Sequence, residues 1–398
     1  RVSGLGAAAC LLAFLIYSNS ARIELSNHII MKNPQSLNRR TFLSTTATAS
    51  LVAPAILSAK KSQSGPLVIG EGEHRYEVHH DWAKLPDKFT WQTTHNVAVD
   101  KAGNLYVIHE GRRNQADHPS IFVFDPNGKF IRAFGKQFQG GGHGLEVRQE
   151  GNEEFLYVCA YQNVKAFAKL TLKGETVWEK YAPMDSGVYR KGEDGPDAVR
   201  FEGKGRPRWG RDAFLPTNFA FLDDGGFLLA DGYGSFWIHR YDKDANWVSK
   251  FGGPGKGEGK FATPHGIWID RREGKKQHVA ICDRAHRTLQ FLEMDGKYVE
   301  TLKGYGMPAN LDTWKNLLLV PELHARITLL NEKNEVVAKL GEDVESVVKK
   351  KTVNRGKTQT WKAGKFVHPH DACFGANGDI YVAEWVATGR VTKLKRLS

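Results

Sequence analysis

Short apolar runs with two-residue alternation recur along most of this chain, separated by clusters of Gly, Pro, Asn and Asp. The plan is clearest from Phe261 to Val299, FATPHGIWIDRREGKKQHVAICDRAHRTLQFLEMDGKYV. GIWID alternates and meets a polar turn. HVAICD follows, then a turn at Arg284–His286. TLQFLEM is the third run, and Asp295–Gly296 is a tight-turn signal before KYVETL. Four short strands in about 40 residues is the spacing of one β-propeller blade. His265 stands immediately before the first of these strands, the one that lines the central channel in such a fold.

The same plan repeats. Trp91 to Phe134 carries HNVAVD, NLYVIHEG, SIFVFD and GKFIRAFG; His143 to Trp178 carries HGLEVR, EFLYVCA, VKAFAK and ETVWEK. Phe214 to Phe251, Met307 to Leu340 and Phe366 to Leu397 supply three more units, the last short of a fourth strand. Leu67 to Trp82 reads as one or two strands able to complete that unit and so close the ring. The expectation is therefore an all-β, six-bladed propeller over residues 67–398, with four-stranded antiparallel blades and an N-terminal closing strand. Two basic insertions interrupt it, Tyr181 to Asp212 and Glu342 to Lys365; within the second, Glu345 to Lys351 offers one helical turn. Long loops on a rigid scaffold often carry binding, and a Lys/Arg-lined entrance favours an anionic substrate.

Ahead of the repeats, residues 60–66 read as a linker and residues 1–59 as targeting sequence. AAACLLAFLIY is too short for a transmembrane span. Met31 opens MKNPQSLNRRTFLSTTATASLVAPAILSA, where Arg39–Arg40 is a twin-arginine pair before a weakly apolar stretch. Translation is expected to start at Met31, with export to the periplasm or beyond. The formal net charge is +12 at pH 7, and losing residues 1–59 removes five of the basic side chains and one acid. What remains is moderately basic, with acids interleaved, which does not support nucleic-acid binding. Four cysteines, Cys10, Cys159, Cys282 and Cys373, contain no CxxC, so neither a disulfide framework nor a thiolate zinc site is expected. Nothing demands more than a monomer.

Aligned on the residue before each inner strand, the six units give His95, His143, Thr217, His265, Ala309 and His370. Units two, four and six of a six-blade ring lie about 120° apart. His143, His265 and His370 would then converge on the axis as three neutral nitrogen donors around an open position, the catalytic form of a zinc site. His95 is a fourth histidine in that register, open to a role as ligand, proton shuttle or substrate contact. His368 would lie near the channel mouth. Asp231, Asp283 and Glu384 fall at one repeat position and read as caps for turn amides.

The PHGI-type starts, the NLYV and IYVAE second strands and the F-G ends resemble the NHL-repeat family, and within it the peptidyl-α-hydroxyglycine α-amidating lyase branch. That resemblance implies a zinc enzyme splitting a peptidyl-α-hydroxyglycine into a peptide amide and glyoxylate. GGHGLEV, FATPHGIWID and FVHPHDACF match its zinc-histidine segments at His143, His265 and His370. DGYG matches the segment of a catalytic tyrosine, Tyr233, and CDRAHR that of a catalytic arginine, Arg284. Otherwise Tyr233 is a packing residue and Arg284 a blade-to-blade ion pair. The resemblance also implies a structural calcium on Asp371 and the carbonyls of Val97 and Leu145. There are departures: Glu110 stands where the family has an arginine, with Arg112 or Arg113 as possible substitutes, and His368 stands where it has a methionine. The main expectation is thus a lyase acting on a small-molecule or peptide substrate at the channel mouth. The alternative is a non-catalytic propeller that recognises a protein or glycan. A calcium lactonase fits less well, because such sites use acidic and amide ligands.

Overall fold

The structure is a computed structural model that describes residues 65–111, 115, 117–196 and 211–397. The targeting segment, most of the linker, and Arg112 and Arg113 lie outside the described residues. Six antiparallel sheets follow one another along the chain. Blade one is Thr94–Val99, Leu105–His109, Ile121–Phe124 and Phe130–Phe134; blade two is Gly142–Glu150, Glu153–Ala160, Ala166–Thr171 and Thr176–Lys180. Blade three is Asn218–Phe221, Phe227–Ala230, Trp237–Tyr241 and Trp247–Gly252; blade four is Pro264–Asp270, His278–Asp283, Thr288–Leu292 and Tyr298–Lys303. Blade five is Asp312–Trp314, Leu317–Glu322, Arg326–Leu330 and Val336–Leu340.

Blade six joins the ends of the repeat. Pro369–Phe374, Ile380–Glu384 and Arg390–Leu397 are followed in the sheet by Arg75–His79 and then Val68–Ile69. The N-terminal segment is therefore two strands, and it makes this blade five-stranded. Arg75 to His79 pairs along its whole length with Lys393 to Leu397, so the outer edge of the final repeat is covered.

The amino-acid pattern explains the layering. Second strands are buried on both faces and read as unbroken apolar runs, such as LYVI, FLLA and LLLV, whereas outermost strands are only partly covered and leave valines such as Val177, Val248 and Val336 in solvent. Hairpins close on aspartates: Asp125 Oδ1 accepts the amides of Asn127 and Lys129, both at 2.9 Å. Six apolar cores fill the seams between successive blades, including one in which Tyr381, Ala383 and Val391 of blade six meet Val97, Leu105 and Phe122 of blade one. That last seam closes the ring into a six-bladed propeller. The helical turn in the second insertion is a single π-type turn, Glu345–Lys349. No helix among the described residues is long and apolar enough to cross a membrane.

Tyr76 carries the closing strand into the core between blades five and six, where it is fully buried. Tyr76→Ala is expected to cost about 3–5 kcal/mol, the scale of an aromatic deleted from a packed core. Chemical denaturation measures it; a loss below about 1 kcal/mol would mean that this strand does not seal the ring.

Candidate active site in a three-ring channel

Four inner strands slip register against their second strand at one place, between Thr94 and Asn96, Gly142 and Leu145, Pro264 and Ile267, and Pro369 and Asp371. These are the strands that carry His95, His143, His265 and His370. A bulge there re-aims a side chain that regular alternation would leave between the blades. Blade five slips likewise, from the Pro308–Glu322 bridge to the Asp312–Leu319 pair, and the equivalent residues of blades three and five are Thr217 and Ala309. All four histidines are buried. Their rings cluster, with centroids 4.8 Å apart for His95–His143 and for His143–His265, 4.7 Å for His265–His370 and 4.5 Å for His95–His370.

Three of the four are oriented in the same way. The Nδ1–H of His143 donates to the Thr217 carbonyl at 2.9 Å, that of His265 to the Ala309 carbonyl at 2.6 Å, and that of His370 to the His95 carbonyl at 2.8 Å. Each acceptor is the equivalent residue of the next blade. A carbonyl can only accept, so the proton is fixed on Nδ1 and the Nε2 lone pair is turned inward. Burial pushes the pKa of all three well below the usual histidine range, helped by neighbouring histidines and by the Arg284 charge. His143 Nε2 and His265 Nε2 then face each other at 3.2 Å, and His370 Nε2 is buried without a partner. His95 differs. Neither of its ring nitrogens makes a hydrogen bond, and Glu110 Oε2 stands 3.6 Å from its Nε2.

A second ring lies at the mouth. After the second strand of each blade, one residue donates its amide to the carbonyl two residues before the histidine position. These donors are Glu110 to Thr93, Tyr161 to Gly141, Tyr233 to Leu215, Arg284 to Thr263, Leu323 to Met307 and Trp385 to His368. Tyr233 and Arg284 thus reach the histidines together: Arg284 Nη1 donates to Tyr233 Oη at 2.7 Å, and that oxygen lies 2.8 Å from His265 Nε2 and 3.3 Å from His143 Nε2. Tyr161 stacks on Tyr233 with centroids 4.9 Å apart. His368 sits at this rim, its Nδ1 donating to the Leu323 carbonyl at 2.6 Å. Described residues of both insertions lie on this face. Tyr189 of the first bonds Asp231 at 2.8 Å and His239 at 2.6 Å; Arg355 of the second lies 3.4 Å over the Trp385 ring.

Arg284 stands apart electrostatically. Four arginines are buried among the described residues, and Arg148, Arg272 and Arg390 each have a carboxylate within 4.0 Å, namely Glu150, Asp270 and Glu384. Arg284 has none among the described residues. A buried charge without a counter-ion is costly unless a ligand supplies one.

The third ring is one residue further along each inner strand: Asn96, Gly144, Asn218, Gly266, Asn310 and Asp371. Asn218 Nδ2 donates to Glu146 at 3.0 Å and to Asn310 at 2.9 Å; Asn310 Nδ2 donates to Asp371 at 2.6 Å, and the Val97 amide donates to Asp371 at 2.8 Å. Burial raises Asp371 to about 7 and Glu146 well above the carboxylate range. Oδ1 of Asn96 and of Asn218 are buried and unpartnered. Val97 and Leu145 sit one residue beyond this ring, buried in the seams on either side of blade one.

His95, His143, His265, His370, Tyr233, Arg284, Glu110, His368 and Asp371 thus stand in or beside these rings, while Arg112 and Arg113 lie outside the described residues. Asp231, Asp283 and Glu384 do cap loop amides, those of Leu215, Ala262 and Val367. The metal-capable group among the described residues differs from the expected one: the donor atoms that all lie within 4.8 Å of one another are those of His95, His143 and His370, so His95 stands in it where His265 was expected. Tyr161, Trp385, Glu146, Asn218 and Asn310 were not anticipated. An alignment on the residue after strand two would have found the first two.

A β-propeller whose axial histidines could hold a metal is what the fold and the site define. Among known proteins, the chain is similar to peptidyl-alpha-hydroxyglycine alpha-amidating lyase 1 of Drosophila melanogaster, 26% identical over 325 residues, covering 72% of this chain and 54% of the relative. The chain thus spans about half the length of that protein. No family model matches. Among solved structures it is similar to a streptogramin B lyase (TM-score 0.51, 13% identity, 82% of this chain and 99% of that one). It is also similar to a gluconolactonase of Xanthomonas campestris (TM-score 0.51, 9% identity, 83% and 96%). At these identities the two structures bear on the fold alone.

Gly266 lets blade four approach blade five. A Cβ there would sit 2.5 Å from Asn310 Cα and 2.7 Å from the Ala309 carbonyl oxygen that orients His265. Gly266→Ala is expected to destabilise the fold by about 1–3 kcal/mol through overpacking, read from its denaturation midpoint. An unchanged midpoint would show that the seam yields freely.

Proposed function

We propose that this chain is a zinc-dependent carbon–nitrogen lyase acting on an α-hydroxyglycine-type carbinolamide, with His143, His265 and His370 as ligands. The observation that carries it is the buried chain of contacts from Arg284 through Tyr233 to the facing nitrogens of His143 and His265. The similarity to an amidating lyase supports the choice of reaction.

The histidines fit a metal. Two inward lone pairs 3.2 Å apart repel each other, and a cation between them removes the conflict. Nitrogens on one tetrahedral zinc at about 2.0–2.1 Å lie roughly 3.3 Å from each other. The carbonyl acceptors on Nδ1 are the outer contacts that metal-binding histidines commonly have. His95 lacks such a carbonyl, which favours His265 over His95 as the third ligand. When bound, zinc supplies Lewis acidity toward the substrate hydroxyl.

The rest falls to the side chains. Arg284 holds the substrate carboxylate, which provides the counter-ion its buried guanidinium lacks among the described residues. Tyr233 Oη, fixed by Arg284, relays the proton: it gives its own to the departing amide nitrogen and takes that of the carbinol hydroxyl. The C–N bond breaks as the C–O bond becomes a carbonyl, leaving an amide and glyoxylate. Tyr161 and Trp385 narrow the mouth and limit water. A structural calcium would take Asp371 with the Val97 and Leu145 carbonyls, and the buried, unpartnered Oδ1 atoms of Asn96 and Asn218 support an oxygen-liking cation in the third ring.

Elemental mass spectrometry and a glyoxylate assay test this. The wild-type chain should carry about one zinc; His265→Ala should lose metal and turnover together, and His95→Ala should keep the metal. Tyr233→Phe should keep the metal and lose about 10²–10⁴-fold in kcat. Turnover by metal-free protein would sink the proposal. Zinc lost from His95→Ala and retained by His265→Ala would transfer the site to the other trio.

A further inference from the structure

The mouth ring carries two full charges, on opposed blades. Glu110 and Arg284 occupy the same repeat position, each with its amide on the carbonyl two residues before the histidine, in blades one and four. In a closed ring of six those blades are diametrically opposed, so the two side chains stand on opposite walls with the histidines between and below. Both act electrostatically on Tyr161 and on Tyr233, which lie between them around the rim.

Among the described residues, neither charge has an ion pair with a fixed charge. Arg284 has no carboxylate in contact, as shown above. Glu110 is about three-quarters buried and has no lysine or arginine in ion-pair contact among the described residues. It is nevertheless held in place: Gln162 Nε2 donates to its Oε1 at 2.8 Å, leaving Oε2 directed toward His95. The Arg355 charge is felt at Glu110, while its guanidinium contacts the Trp385 ring and carbonyl and Thr93 Oγ1. An anion and a cation held apart across one small mouth are complementary to a ligand with the opposite pair of charges.

We propose that the site selects a short zwitterion, with its carboxylate on Arg284 and a free ammonium on Glu110. This deepens the lyase reading and rests on it for the identity of the reacting bond. The substrate class becomes an unblocked dipeptide-length compound, H₃N⁺–CHR–CO–NH–CH(OH)–COO⁻, rather than an N-acylated or long peptide. Its two charged ends lie on either side of the carbinol carbon, as Glu110 and Arg284 lie on either side of the histidines. A long peptide would put a neutral amide against Glu110 and leave that carboxylate uncompensated.

Calorimetric titration of the metal-loaded chain with unreactive probes tests the inference. Glycylglycine carries both charges, N-acetylglycine only the carboxylate and glycinamide only the ammonium. Glycylglycine should bind at least about tenfold more tightly than either, the scale of one charge-assisted contact. Glu110→Gln should abolish that advantage and leave N-acetylglycine binding unchanged. Equal binding of glycylglycine and N-acetylglycine would overturn the proposal. So would an advantage that survives Glu110→Gln, which would reflect amine chelation to the metal, or no binding of any probe. The outcome is separable from the reaction itself. A Glu110-dependent preference without glyoxylate release would leave the charge pairing standing and remove the lyase reading. Glyoxylate release from blocked and unblocked substrates at equal rates would do the reverse.

Discussion

The bond from a histidine Nδ1 to the backbone carbonyl of the next blade is the contact on which the channel depends. It occurs from blade two to three, from four to five and from six to one. Each such bond is worth only about 1 kcal/mol net, but it fixes a tautomer and a ring plane that packing alone would leave free. The third spans the seam between the last repeat and the first. The nitrogen of His370 is therefore aimed only if the ring is closed, and closure relies on the N-terminal strands finishing blade six. Site geometry and fold completion share one constraint.

Repetition explains why chemistry can be built here at little structural cost. Each blade offers the channel three equivalent positions, and the backbone bonds that hold them do not depend on the side chain. The inner-strand bulge, the loop amide capped by Asp231, Asp283 or Glu384, and the amide from the residue after strand two recur with modest variation. In blade one, His109 replaces the acid as the acceptor for the Gln92 amide. Function then lies in where the side chains break the repeat: histidine at four positions of one ring, and a glutamate, two tyrosines, an arginine, a leucine and a tryptophan in the ring above.

How much of this is legible in the sequence differs by ring. Alternation and turn residues define the blades, and a histidine immediately ahead of an apolar run is visible by eye, so the middle ring could be placed before any coordinates. The mouth ring is harder. Glu110, Tyr161, Arg284, Leu323 and Trp385 directly follow their second strands, but Tyr233 comes two residues after Asp231, so a rigid register misses the equivalence that its amide bond to Leu215 reveals. Tyr233 and Arg284 were found by family resemblance instead. The innermost ring is concealed by Gly144 and Gly266, which bring no side chain to mark a channel position and allow neighbouring blades to touch. The tautomers, which distinguish His95 from the other three, depend on carbonyls in another blade and leave no trace in the sequence.

The charges at the mouth argue for a ligand more strongly than the histidines do. Buried neutral imidazoles are tolerable in a fold that hydrogen-bonds one nitrogen of each. A buried guanidinium is not, and elsewhere this chain follows the rule: Arg272 grips Asp270 with two nitrogens, and Arg390 bonds Glu384 while stacking on Trp361. Arg284 is given a phenol where those arginines are given carboxylates. Glu110 is the nearest candidate counter-ion in the same ring, and the fold puts it across the mouth and ties it to Gln162. Bringing the two together would neutralise both and close the opening above the histidines. Keeping them apart preserves a field across the channel that free water screens poorly in so narrow a space. Such an arrangement is costly to the empty protein, and it is offset when a molecule enters that bears a carboxylate at one end.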